Sequence, residues 1–434
     1  MKRPTPLLLL TLLLGCGGAP EPQPDWVRDP APASAAPETS EVAPLGSLTL
    51  VGALAAADAR HPELAEFRAY VAAAEGQLEQ AGLFPNPTLV LRMENAPWSS
   101  GSTRDSAEYV AGLSFQLPLS GRVGAAEDAA AREVEQRTQE LAVTRREVQR
   151  RVRGAFATAL SLERAAEVQR RTLDLAERAE ELLSARVEAG DTIPAELARG
   201  RMEATRARLE LGRVEAQRRQ AALSLAAAVG DPELQVTSVT GELETALALP
   251  DLDALVRSLE QNPRVAAADA EVALSEARVE LAKAQRVPDV SLDMFYRRLE
   301  ESDQHAFDVG VGIPLGLFDR NQGNVRSALA GRLAASARAR ATRTELLQEL
   351  RATHARLAQL LRAVEVLRDD LLVQADTVLA SAEARFAAGD ASLVELLPIR
   401  RDWAALQLDY LDSLRQVMLA WSDLQVLTGT DPTP

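Results

Sequence analysis

The sequence predicts a mainly helical protein with a small transmembrane β part, built from two copies of one helix–strand–strand–long helix–helix unit. Two stretches, residues 123–188 and 325–388, contain no proline and are rich in Ala, Glu, Arg, Leu and Gln, which are strong helix formers. Four shorter segments alternate apolar residues with small or polar ones, as half-buried strands do. Short motifs recur about 200 residues apart.

The composition fits long helices and excludes several partners and chemistries. The 434 residues are 26% charged but only 4% aromatic, whereas compact cores rely on aromatic anchors. A net charge of −15 argues against nucleic acid as a partner. One Cys and three scattered His predict no disulfide, no metal site and no cofactor. Because nucleophile and phosphate-loop motifs are missing, we expect no catalytic residue and no enzyme.

The first residues predict export and lipidation. Lys2 and Arg3 precede an apolar run too short to span a bilayer, so we interpret residues 1–15 as a signal peptide. The run ends in Leu-Leu-Gly-Cys, which resembles the bacterial lipobox and implies a lipid on Cys16. The alternative is a cleavage site that happens to contain a cysteine. The Pro- and Ala-rich residues up to 47 predict an extended tether.

The recurring motifs predict a tandem duplication, with one unit at residues 48–247 and the other at 248–434. Ala-Gly-Asp occurs at residues 189–191 and again at 388–390. A His-Pro pair at 61–62, which opens an Ala-rich helix predicted at about 61–82, matches Asn-Pro at 262–263. The long helices are 123–188 and 325–388, the tips are 189–193 and 389–392, and the return helices are 194–229 and 393–428.

The four strands are predicted at about 87–95, 109–119, 289–298 and 306–315. Strands of about ten residues with one apolar face are typical of transmembrane β-barrels, although a soluble sheet with one wet face shows the same alternation. Four strands cannot close a barrel, and open edges in lipid would leave backbone groups unpaired, so the barrel must be shared between chains. Two chains would supply eight strands and three would supply twelve, and the strands alone do not choose between them.

This unit, the lipobox and the tips resemble the TolC-like outer-membrane efflux proteins over residues 48–430. Each tip reads Arg-x-x-x-Gly-Asp, at residues 186–191 and 385–390. The run at 314–323, after the fourth strand, is similar to that of the cobalt–zinc–cadmium-type cation-efflux branch. The resemblance implies a lipid-anchored homotrimer in the outer membrane of a Gram-negative bacterium. It also implies a shared β-barrel and an α-barrel tunnel of helices that extend into the periplasm.

The resemblance also implies partners and a function. A periplasmic adaptor (membrane fusion) protein would dock at the tips, an inner-membrane RND-type pump would supply the substrate, and outer-membrane lipid would surround the strands. The channel would passively conduct substrates, with heavy-metal cations expected. Multidrug efflux or type I secretion through the same architecture is the alternative, and a periplasmic coiled-coil scaffold lipoprotein is a more remote one.

The tips are the first group of candidate functional residues. Their glycines suit left-handed C′ positions and their aspartates suit N-caps of the return helices, while the family implies adaptor docking. The docking candidates are Arg186, Gly190, Asp191, Arg385, Gly389 and Asp390.

Acidic residues at heptad spacing near the tips form the second group. A seven-residue step keeps one face of a supercoiled helix, so these carboxylates would form cation-attracting rings if that face lined a tunnel. On a face in bulk water they would be an ordinary solvated stripe. The ring candidates are Asp369, Asp376 and Glu383.

The run after the fourth strand forms the third group. Its spacing matches no metal site, so we interpret it as a strand-to-helix elbow, with Asn321 and Gly323 suited to positive φ and Asp319 to an N-cap. The elbow residues are Phe318, Asp319, Arg320, Asn321, Gln322 and Gly323.

Overall fold

The computed structural model describes residues 47–95, 107–244 and 248–428. Cys16, the signal peptide and most of the tether lie outside these residues, so the predictions for them stay predictions. Within the described residues the chain is mainly helical and carries one four-stranded sheet, as predicted. The helices are α1 Leu50–Arg60, α2 Pro62–Ala81, α3 Arg122–Glu188, α4 Pro194–Val229, α5 Leu252–Ser258, α6 Pro263–Ala284, α7 Gln322–Val366, α8 Leu372–Ala388 and α9 Leu393–Thr428. The strands are β1 Thr88–Glu94, β2 Glu108–Leu117, β3 Val290–Leu299 and β4 Gln304–Gly312.

α3 is the first of the two long helices. Its 67 residues correspond to about 100 Å at 1.5 Å per residue. It follows Gly121, whose φ of 71° turns the chain out of β2 into the helix. α4 returns antiparallel to it as the second arm of a helical hairpin.

The second long helix differs from the continuous rod that the sequence predicts. α7 ends at Val366 and α8 begins at Leu372, and the residues between them, Leu367–Leu371, form one π-helical turn. A π turn uses i→i+5 hydrogen bonds and is wider than an α-helical turn. Its sequence, Leu-Arg-Asp-Asp-Leu, contains neither Gly nor Pro, so helix propensity offers no signal for it.

The helices that open the two units begin with equivalent caps. Nδ1 of His61 accepts a hydrogen bond from the N–H of Glu63 at 3.2 Å, and Pro62 occupies the first position of α2. Burial lowers the pKa of His61, which keeps the ring neutral and able to accept this bond at pH 7. Asn262 caps α6 in the same way, accepting from the N–H of Arg264 at 2.7 Å. The matching caps support the duplicated unit.

The strands form one antiparallel sheet in the order β1-β2-β3-β4, so the β2–β3 pair joins the two units. Leu91, Ala111, Tyr296 and Phe307 lie in one row across the sheet. The face that carries this row is apolar and open, with Phe307 78% exposed. The opposite face carries Gly, Ser and charged side chains. The predicted alternation of the strands is confirmed.

The main core lies where the helical hairpins meet the short helices α1 and α5. Most of its buried side chains are aliphatic, with the aromatic side chains of Phe156, Tyr410 and Trp421 among them, and a parallel bridge between Leu48 and Val239 closes one side of it. Further along the first hairpin the contacts involve mainly alanine, with Ala176, Ala204 and Ala207 buried against one another. Small side chains allow the two helices to approach closely, which explains how long helices pack with few aromatic residues.

Two glycines of α4 and its cap give a matched test of this packing. Gly230, with φ of 83°, ends α4, and an added Cβ would lie 2.7 Å from Cδ of Pro62. Gly212 lies inside α4, with open space around it. We expect Gly230→Ala to destabilise the fold by roughly 1–3 kcal/mol, because it combines left-handed strain with a clash. We expect Gly212→Ala to stabilise it by about 0.5–1 kcal/mol.

Thermal unfolding of the detergent-solubilised protein, followed by circular dichroism at the helix band, measures both effects. Shifts of opposite sign are the expected result. A shift of the same sign for both variants would contradict the packing at the end of α4.

Candidate functional site

Each long helix ends in a glycine turn of the same geometry. Gly190 has φ of 80°, its N–H donates to the carbonyl of Val187 at 3.1 Å, and the N–H of Asp191 donates to the carbonyl of Arg186 at 2.8 Å. This is the Schellman pattern, which a left-handed C′ glycine permits. The second tip repeats it around Gly389, whose φ is 90°. The predicted C′ position of both glycines is confirmed.

The two tip aspartates do not cap the return helices, so that prediction is wrong. α4 begins after Ile193, which makes no side-chain cap. α9 begins after Ser392, whose N–H and hydroxyl both donate to the carboxylate of Glu395, at 3.3 and 3.1 Å. Asp191 and Asp390 lie earlier because their N–H groups close the Schellman turns, and the N-cap position falls two residues later.

Arg186 joins the first tip to the second. Its Nη2 donates to the carbonyls of Phe386 and Ala387 at 2.9 and 3.0 Å, and its guanidinium lies 5.5 Å from the centre of the Phe386 ring. A cation is favourable there because the last carbonyls of a helix lack partners and carry the negative end of its dipole. Arg385, the equivalent residue of the second unit, stays within its own hairpin, 3.7 Å from Glu395. The two arginines therefore occupy the same position of the repeated motif but make different contacts.

A buried apolar cluster lies beneath the tips. Ala179 and Leu183 of α3 pack with Phe386 of α8 and with Leu393 and Leu396 of α9. Because both hairpins contribute, the cluster and Arg186 hold the two tips together. The predicted docking residues therefore lie on two turns that are fixed relative to each other.

The predicted acidic stripe is engaged within the chain. Oδ1 of Asp376 accepts from Nε1 of Trp403 at 2.7 Å, and Glu383 accepts from Nε of Arg400 at 3.2 Å. Asp369 lies in the π turn, where a hydrogen bond from the preceding arginine lowers its pKa. The sequence does not reveal the partners of Asp376 and Glu383, because they depend on how α9 packs against α8.

The elbow between β4 and α7 is held by its own hydrogen bonds. The N–H of Asn321 donates to Oδ1 of Asp319 at 2.9 Å, and Nδ2 of Asn321 donates to the carbonyl of Ala282, near the end of α6, at 2.8 Å. Nε of Arg320 donates to the carbonyl of Gly316 at 3.0 Å. The polar side chains of the elbow therefore bond to its backbone and to α6.

The structure corrects two details of the predicted elbow. Asn321 has the expected positive φ, at 57°, but Gly323 does not, because α7 already begins at Gln322. Asp319 closes the turn before the helix and is not its N-cap.

Apolar side chains of the elbow and the strand end point outward. Phe318 is 91% exposed, and Leu315 and Leu317 are exposed as well. A loop that bonds its polar groups internally and exposes its apolar ones suits an apolar surrounding.

The polar face of the sheet holds a charged group that the sequence analysis missed. Arg297 of β3 pairs with Glu94 of β1, Glu108 of β2 and Asp308 of β4. The alternation predicts that Arg297 and Asp308 lie on the small or polar face. Only the strand pairing brings all four residues together.

Two kinds of feature are not found in the described part of the chain. Among those residues, no group of three or more His, Cys, Asp or Glu side chains is placed to hold a metal ion. None of the helices there has the length and apolar character needed to cross a bilayer.

The bond between the tips can be tested by proteolysis. Arg186→Ala removes two charge-assisted hydrogen bonds next to Phe386, a buried chymotrypsin site. A net loss of about 1 kcal/mol would raise the population of the open tip about fivefold. We therefore expect about fivefold faster chymotrypsin cleavage after Phe386, and little change for the control Arg385→Ala. Equal cleavage rates for the two variants would contradict the role of Arg186.

Comparisons with known proteins agree with these features. The family model described as outer membrane efflux protein matches residues 53–231 and 254–430. The cobalt-zinc-cadmium resistance protein CzcC of Cupriavidus metallidurans is 28% identical over 384 residues, which cover 88% of this chain and 90% of that protein. The nickel and cobalt resistance protein CnrC of the same organism is 29% identical over 312 residues, covering 70% of this chain and 71% of that protein.

The fold is also similar to a solved channel structure. A crystal structure of CusC, described in terms of folding and transmembrane channel formation, superposes with a TM-score of 0.73 at 17% identity. The match covers 88% of this chain and 92% of that one. The resemblance to TolC-like proteins is confirmed, and the chain belongs to the outer membrane efflux protein family, whose members are channels and not enzymes.

Proposed function

We propose that this protein is the outer-membrane channel of a tripartite efflux system and passively conducts heavy-metal cations from the periplasm to the outside. The observation that carries the proposal is a four-stranded sheet with an exposed apolar face, joined to two long helical hairpins. The sheet suits a membrane, and helices of about 100 Å suit the space beneath it.

The sheet supports a homotrimer. In the described sheet, β1 and β4 each have a neighbour on one side only, so each presents an edge of unpaired backbone groups. Edges are not tolerated in lipid, which leaves pairing between copies as the solution. Three copies would give twelve strands, enough to enclose a pore, whereas eight strands are filled by side chains.

The exposed apolar residues support contact with outer-membrane lipid. All four junctions between helix and strand lie at the same end of the sheet, because the strands are antiparallel. Each junction carries an exposed large apolar side chain, and together these would mark the periplasmic boundary of the bilayer. They are Phe84 before β1, Leu119 after β2, Val287 before β3 and Phe318 after β4.

The remaining parts of the proposal concern the lipid anchor, the tips and the acidic stripe. A lipid on Cys16 would add a second attachment to the outer membrane. The helices would extend into the periplasm, where the joined tips would dock an adaptor protein that links the channel to an inner-membrane RND-type pump. The acidic stripe would line the tunnel near the tips. Asp376→Asn removes the negative charge of Asp376 but keeps an acceptor for Trp403, whereas Asp376→Ala would remove both.

The substrate class rests on the relatives. Both CzcC and CnrC are metal-resistance proteins by name. Multidrug efflux and type I secretion use the same architecture, but no observation favours them here. The four strands also disfavour a coiled-coil scaffold lipoprotein.

Metal tolerance of a strain that lacks this protein tests the function. We expect sensitivity to zinc, cobalt, cadmium, copper or silver, with tolerance of antibiotics and detergents unchanged, and rescue by the wild-type gene. Gly112→Val should not rescue, because a Cβ there would lie 2.1 Å from the carbonyl of Met294 in the neighbouring strand. Gly124→Ala is the matched control and should rescue, since it has open space.

Sensitivity to antibiotics and detergents alone would contradict the metal substrate while keeping the channel. Rescue by Gly112→Val would contradict a role for the sheet.

A further inference from the structure

One guanidinium connects all four strands on the polar face of the sheet. Nη1 of Arg297 donates to Glu94 at 3.1 Å and to Glu108 at 2.5 Å, and its Nε donates to Asp308 at 3.0 Å. Each strand contributes one of the four residues. The Arg297 side chain is 29% exposed, so the group is reached by solvent.

The register shows why this arginine is needed. Glu94 and Glu108 are direct cross-strand partners, a position in which like charges repel each other. Arg297 is bonded to both, and Nδ2 of Asn95 donates to Glu108 at 2.7 Å. Without the guanidinium, three carboxylates would face one another across four strands.

A second arginine on this face, Arg92, contacts an aromatic ring as well as a carboxylate. The guanidinium of Arg92 lies 5.4 Å from the centre of the Phe295 ring and 3.7 Å from Glu94. The ring lies over Gly112, where an added Cβ would come within 2.4 Å of it. Arg92 therefore divides its charge between an aromatic ring and one carboxylate.

The balance of charge on this face is negative. The described strand residues that face this way include four carboxylates, Glu94, Glu108, Asp293 and Asp308, and two guanidiniums, Arg92 and Arg297. The opposite face is the exposed apolar one, so in the proposed channel the charged face lines the lumen. Charges that line a pore attract counter-ions and set which sign of ion passes more easily.

We propose that Arg297 determines the ion selectivity of the strand region of the pore. It offsets part of the carboxylate charge, which leaves enough negative potential to favour cations without holding them. This role rests on the proposed channel function. It is separate from the acidic stripe near the tips, because the two lie at opposite ends of the long helices.

Reversal potentials of the purified full-length channel in planar bilayers test the proposal, with a gradient of potassium chloride. Screening lengths are about 30 Å at 0.01 M salt and about 3 Å at 1 M, so the effect must grow as salt falls. At low salt we expect Arg297→Gln to raise the ratio of cation to anion permeability about twofold or more, and Glu108→Gln to lower it.

Two controls separate charge from structure. The double variant Glu108→Gln/Arg297→Gln removes the ion pair between these two residues but restores the native net charge. It should therefore return the ratio of cation to anion permeability close to that of the wild type. Arg298→Gln removes a positive charge from the opposite face, where Arg298 lies near Glu300 and Asp303, and should not change the ratio.

Equal ratios for all variants at low salt would overturn the proposal, as would shifts of the same sign for Arg297→Gln and Glu108→Gln. If Arg297→Gln does not fold, Glu94→Gln and Glu108→Gln decide alone, because both should lower the ratio with Arg297 in place. Absence of any conductance from the folded wild-type protein would instead contradict the proposed channel function.

Discussion

Backbone hydrogen bonding at the edges of the four-stranded sheet is the constraint on which the rest of this structure depends. β1 and β4 are each paired on one side only, and the face beside them is apolar and open. An isolated sheet of this kind would expose both unpaired backbone groups and large apolar side chains. Lipid around the apolar face and other copies at the edges would satisfy both requirements at once. The charged face would then line the lumen of the shared barrel, where Arg297 balances part of the charge of the carboxylates.

The helices follow a different principle, in which local signals fix most of the structure. Strong helix formers set the length of α3, glycines with positive φ end the long helices, and alanine allows close packing between the two helices of the first hairpin. The tips depart from the exact repeat because Arg186 crosses to the second hairpin while Arg385 stays in its own. The duplicated units therefore form two similar hairpins, whose tips differ in the contacts of one equivalent arginine.

The features that could be predicted from the sequence are those that depend on short-range sequence patterns. The four strands, the long helices and the C′ glycines depend on periodicity and propensity within a few residues. The π turn at Leu367–Leu371 was missed because it contains neither Gly nor Pro to mark a break in the helix. The partner of Asp376, the crossing by Arg186 and the group around Arg297 were missed because each joins residues far apart in the chain. Only the packing of the helices or the register of the strands reveals them.

Disulfide cross-linking between the sheet edges tests most directly whether the edges pair between copies. Leu91→Cys on β1 is combined in turn with Phe307→Cys, Val309→Cys or Val311→Cys on β4. Within one chain the two positions of each double variant lie at least about 14 Å apart, because three strand spacings separate β1 from β4, and this is too far for a disulfide. Under oxidation we predict linked dimers and trimers from at least one double variant and none from the single variants. Monomers from every double variant, or dimers from Leu91→Cys alone, would contradict a ring in which β1 pairs with β4 of the next copy.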